Sequence, residues 1–174
     1  MDLGLLLFRL VLGGLMAGHG SQKLFGWFRG AGPTGSGAVF EQFGIRPGRK
    51  LATFAGTCEL IGSALIMFGL AFPLGNAILI ASMTVAVVVT FGAGLWSHPG
   101  PGYEVALIYG AMSVGLSFTG PGRWSLDATL GFTAHNGYLW GCIAVLVGFS
   151  AAAPVLVRRR FLLSANRRRT AVRT

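Results

Sequence analysis

The chain has 174 residues, of which 53% are hydrophobic and only 11% charged, with 28 glycines. That composition excludes an ordinary soluble domain and fits a polytopic helical membrane protein. The net charge of +9 does not argue for nucleic acid, because the basic residues sit in two blocks flanking apolar stretches.

A hydrocarbon core about 30 Å thick needs about 20 helical residues. On that rule the sequence predicts spans over Leu3 to Leu24, Leu51 to Phe72, Leu74 to Trp96, Tyr103 to Thr119 and Gly137 to Val157. The first begins without a basic n-region and is interrupted by Arg9, so it is expected to be retained rather than cleaved as a signal peptide. Between the first two spans, the run Gly32-Pro33-Thr34-Gly35-Ser36-Gly37 reads as flexible. It precedes a short interfacial helix near Phe40, where Phe40, Phe43 and Ile45 surround Glu41 and Gln42. Gly-Pro-Gly triplets at positions 100–102 and 120–122 bound the fourth span as turns.

Orientation follows from the basic residues. Lys23, Arg29, Arg46, Arg49 and Lys50 lie between spans one and two, and Arg158, Arg159, Arg160, Arg167, Arg168, Arg169 and Arg173 follow span five. The opposite side receives Arg123, so the positive-inside rule puts the N-terminus outside and the C-terminus in the cytoplasm of a plasma (inner) membrane protein. The polybasic tail also suits acidic lipid heads, at about 1 kcal/mol per residue. Small residues at four-residue spacing, Gly14 with Gly18, Ala52 with Gly56, Ala106 with Gly110 and Gly137 with Gly141, favour close helix packing or a homo-oligomer face.

The costly residues are the polar ones inside the spans. Of five acids, Asp2 and Asp127 fall outside, Glu41 and Glu104 at the cytoplasmic side, and Glu59 alone inside a span. Glu59 lies about 12 Å from Leu51, His19 about 7 Å and Arg9 about 22 Å from Leu24, at 1.5 Å rise per residue. An intramembrane ion pair between Arg9 and Glu59 is one expectation, since a buried carboxylate needs a partner and a long guanidinium stem covers part of the height difference. A ligand pocket in the cytoplasmic half is the other, built from His19, Gln22, Lys23, Glu59, His98, Tyr103 and Glu104. No nucleophile and base pair is recognisable, so no catalytic residue is assigned, and the absence of i, i+3 or i, i+4 ligand spacing argues against a metal. Cys58 and Cys142 lie at different heights and read as packing residues, with neither a disulfide nor a CxxC motif.

Four stretches together resemble the DoxX family of small membrane proteins: RLVLGGLMAGHGSQKLFGWF from Arg9, FEQFGIRPGRKLATFAGTCELIGSALIMFGL from Phe40, PGYEVALIYG from Pro101, and GPGRWSLDA from Gly120. Arg9, His19, Gly20, Lys23, Glu59, Glu104 and Asp127 match its recurring polar and small positions. The resemblance implies an all-α integral membrane protein with a four-helix transmembrane bundle over residues 1–128. This chain departs from it by an extra transmembrane helix over 129–157 and a basic cytoplasmic tail over 158–174. Relatives include a subunit of thiosulfate:quinone oxidoreductase, and others are linked to a superoxide dismutase and a sulfurtransferase in oxidative-stress complexes. The implied role is a membrane subunit of a redox assembly with protein partners, at most a quinone-interacting subunit of an oxidoreductase, with quinone the candidate ligand. A non-enzymatic membrane scaffold is the alternative, and a small-molecule transporter using Arg9 and Glu59 a further one.

Overall fold

The computed structural model describes residues 1–96, 102–132 and 137–171, with side chains through 165. The elements are α1 (Asp2–Phe25), α2 (Gly32–Gln42), α3 (Gly48–Phe68), α4 (Phe72–Thr90), α5 (Glu104–Thr119), a single turn α6 (Leu126–Thr129) and α7 (Tyr138–Ala171). The result is an all-α bundle, and α1, α3, α4 and α7 are long and apolar enough to cross a bilayer. In their most apolar stretches only 22% to 33% of residues are buried, so most of each helix faces outward and requires an apolar solvent. The protein is therefore a multi-pass membrane protein.

Local chemistry accounts for the element ends. Helix α1 carries Asp2 in its first turn and Lys23 in its last, both favourable to the helix dipole, and stops at Gly26, whose φ of 71° suits glycine. Helix α3 stops the same way at Gly69, φ 62°. The break between the second and third predicted spans thus falls at residues 69–71 instead of at Phe72, and Pro73 in the first turn of α4 fixes the restart. Helix α4 ends at Thr90 and passes into a 3-10 turn, Phe91–Ala93, short of the predicted Trp96. At 16 residues, or about 24 Å at 1.5 Å rise, α5 is shorter than the hydrocarbon core.

Two expectations are corrected here. The glycine-rich run at 32–37 is the first half of α2, because Pro33 near the N-terminus is pre-set for the helix. Gly37 in that run serves contact with α3, since a Cβ there would stand 2.6 Å from the Arg49 nitrogen. The second correction concerns α7, which continues past Val157 through the first arginines as one helix of 34 residues. Its extension docks under the α2–α3 connection, where Arg159 Nε donates to the Phe43 carbonyl at 2.6 Å.

Helix α1 packs on α3, α3 on α4, and α4 on both α5 and α7, while α2 lies against the start of α3. The core between them consists of Leu12, Met16, Ile66, Phe72, Leu79, Met83 and Leu116. Backbones meet where side chains are missing. A Cβ on Gly20 would sit 2.9 Å from the Gly56 carbonyl, and one on Gly62 3.3 Å from the Gly75 carbonyl. Gly141 approaches Ser117 on α5 in the same manner. Gly14 and Gly18, by contrast, have nothing within 4 Å of an added Cβ, so that pair does not pack the bundle.

Candidate functional site

The buried ions separate into two clusters at opposite ends of α1. Arg9, 1% exposed, donates from Nη1 to the Pro121 carbonyl at 2.6 Å and from Nη2 to the Trp124 carbonyl at 2.5 Å. Asp127, also 1% exposed, lies close enough to act electrostatically on Arg9. Its Oδ1 accepts from the Ala71 N–H at 2.8 Å and its Oδ2 from the Phe72 N–H at 3.0 Å. The carboxylate thereby caps the positive start of α4, satisfying donors that a helix leaves open. Gly69 makes this possible, since a side chain there would collide with the Arg9 guanidinium.

The expected pair of Arg9 with Glu59 is not formed. Glu59, 2% exposed, is instead paired with Lys23, whose Nζ lies 2.6 Å from Oε2. The reason is height along α1: Lys23 is on the same end as Glu59, and the Gly20–Gly56 approach brings those turns together. Ser82 Oγ on α4 donates to the other carboxylate oxygen at 2.9 Å. Both oxygens of this intramembrane carboxylate are therefore satisfied, as burial demands.

Of the predicted pocket residues, His19, Gln22, Lys23 and Glu59 come together. The His19 side chain hydrogen-bonds Gln22 and feels the charges of Lys23 and Glu59. Its ring meets Tyr109 of α5 edge-on, centroids 5.7 Å apart. Gln22 Nε2 also donates to the Phe28 carbonyl at 3.2 Å. Tyr103 and Glu104 belong to the start of α5. Tyr103 stacks on Phe91 at 5.2 Å, and the two residues' backbone nitrogens bind the Gly94 and Leu95 carbonyls. His98 lies outside the described residues.

Glu59 also faces a second space, on the side away from His19 and Lys23. A groove of about 430 Å3 opens between α2, α3, α4 and α7. Phe40, Phe43, Phe54, Val85 and Val155 are among its apolar walls, and Cys58, Glu59 and Ser82 stand together in its lining. His19, Gln22, Lys23, Tyr103 and Glu104 do not line it. Ser82 was missed because one serine in the apolar run of α4 carries no spacing signal. Cys58 is a free, half-buried thiol that lines the groove beside Glu59, and Cys142 is likewise free.

A lipid-facing helical bundle with a satisfied intramembrane carboxylate at the edge of an apolar groove makes this a small polytopic membrane protein. The chain belongs to the DoxX family, whose sequence model matches residues 4–92, from the first turn of α1 to the end of α4. No curated protein and no solved structure matches it.

Proposed function

We propose that this DoxX-family protein is a membrane subunit of a redox or oxidative-stress assembly that holds a quinone in the groove between α2, α3, α4 and α7. The observation that carries the reading is the groove itself. Its volume falls within the roughly 300–1,000 Å3 typical of small-molecule sites, and it is apolar apart from a few convergent polar groups. The Glu59 carboxylate and the Ser82 oxygen, whose hydrogen goes to Glu59, offer lone pairs to the hydroxyls of the reduced, quinol form of the head, and the aromatic and aliphatic walls suit an isoprenoid tail. Electron transfer would come from the quinone and a partner protein, with the chain supplying binding and orientation.

The test is extraction of the purified protein for bound quinone or quinol, followed by titration with a short-chain ubiquinol analogue. Glu59→Gln and Ser82→Ala should each weaken binding about tenfold, the loss expected for one hydrogen bond of roughly 1.5 kcal/mol in an apolar site. Absence of bound quinone or quinol together with no saturable binding overturns the reading. A scaffold role is the second reading, favoured by the filled interior between Leu12, Met16, Leu79 and Leu116 and by the Glu59 carboxylate, both of whose oxygens already have partners within the bundle. In that case the same variants change stability and leave quinol titrations flat. The N-out, C-in orientation and the crossing of α5 belong to this proposal too, supported by the distribution of basic residues.

A further inference from the structure

Below the groove, a second recess of about 170 Å3 is lined by Ile45, Arg46, Leu51, Pro154, Val155, Arg158, Arg159 and Leu162. Ile45, Leu51 and Val155 also line the groove, so the two spaces adjoin across these side chains. The geometry points to this recess as a binding site for the phosphate head of an acidic bilayer phospholipid, with the acyl chains running along the shared apolar rim.

Charge makes the first argument. Three arginines, Arg46, Arg158 and Arg159, line the recess, and no carboxylate is among its lining residues. Among the described residues, none of the three has an acidic group within ion-pair distance, the one such pair being Lys23 with Glu59. Glu41, which lines a neighbouring recess with Arg46, accepts from the Gly48 N–H at 3.1 Å. Three like cationic side chains attract the net negative charge of an acidic phosphate head more than a zwitterionic head, whose ammonium they repel. Depth makes the second argument. Arg158 lies 20 residues beyond Tyr138 on α7, roughly 30 Å at 1.5 Å rise, which is one hydrocarbon thickness. The guanidinium groups thus arrive at the level of phospholipid heads while Leu51 and Val155 remain at acyl depth. Pre-organisation makes the third, because Arg159 is already fixed by its bond to the Phe43 carbonyl and holds α7 against the α2–α3 connection.

This site is independent of the quinone reading and is tested without quinone. The full chain, purified in detergent, is titrated with phosphatidylglycerol and with phosphatidylcholine while bound lipid is counted by native mass spectrometry. Arg46→Gln with Arg158→Gln should weaken phosphatidylglycerol binding about 25-fold, at roughly fivefold per arginine. Phosphatidylcholine binding should not change. Arg29→Gln with Arg160→Gln removes the same charge outside the recess and should stay within about twofold of the parent. Arg46→Lys with Arg158→Lys should keep most of the affinity, which shows that loss in the glutamine variant is not misfolding. Equal loss in the two glutamine pairs, unchanged binding in the recess pair, or full displacement of the lipid by millimolar inorganic phosphate overturns the proposal.

Discussion

Lys23 and Arg9 are cations of the same helix, yet they solve different problems. Lys23 neutralises a carboxylate, whereas Arg9 ties two backbone carbonyls of the α5–α6 connection to the bundle. That Glu59 needs a partner is legible in the sequence, since a carboxylate eleven residues into α3 cannot face lipid alone. Which cation supplies it is not, because partner choice depends on the Gly20–Gly56 approach and not on spacing within one span. Removing Lys23 leaves Glu59 buried and uncompensated. Lys23→Ala should destabilise by about 3 kcal/mol, the low end for breaking a buried pair, because the Lys23 side chain keeps 21% exposure. Lys23→Ala with Glu59→Gln should recover much of that loss in thermal unfolding of the detergent-solubilised protein, and equal destabilisation of the single and double variants would count against the pair. Asp127 was legible only as an outside acid. Its cap on α4 depends on a turn whose carbonyls and N–H groups no sequence pattern encodes. Asp127→Ala removes two charge-assisted hydrogen bonds and should cost about 3 kcal/mol, with hydrogen exchange accelerating first at Ala71 and Phe72.

At the scale of elements, hydropathy finds the helices well and their contacts poorly. The long apolar helices lie where the 20-residue rule puts them, while the start of α2 is hidden by glycines that look like a linker, of which Gly37 admits α3. Small-residue spacing likewise does not find the face in use: on α1 it picks out Gly14 and Gly18, which meet nothing, while Gly20, outside that pattern, abuts the backbone of α3. Substitution separates them. Gly20→Leu forces α1 away from the Gly56 carbonyl and should cost about 1–3 kcal/mol, the usual range for overpacking. Gly14→Leu adds a side chain to open space on an apolar face and should leave the melting temperature of the solubilised protein unchanged or slightly raised, because leucine forms helix better than glycine. If the two variants melt alike, the α1–α3 approach is not as close as described.

Across the whole molecule, the two ionic clusters give the bundle two unlike ends. The Arg9–Asp127 end is closed by backbone hydrogen bonds and carries Asp2, whose carboxylate accepts from the Arg123 N–H at 2.9 Å. The other end gathers Lys23, Arg29, Arg46, Arg49, Lys50 and the arginines of α7, and it is where the groove and its basic recess open. An excess of lysine and arginine on one side resists translocation, so the crowded end should face the cytoplasm and the Arg123 end the outside. Arg159 reinforces this asymmetry by fastening the end of α7 to α2, which obliges both to lie on one side. In a background with Cys58→Ser and Cys142→Ser, a membrane-impermeant maleimide added to intact cells should label Arg123→Cys and leave Arg29→Cys unlabelled until the membrane is opened. The reverse pattern would invert the molecule and place the groove's basic mouth against the outer leaflet. Labelling of both from outside would mean that α1 and the helices up to α5 do not return the chain to the side on which it started.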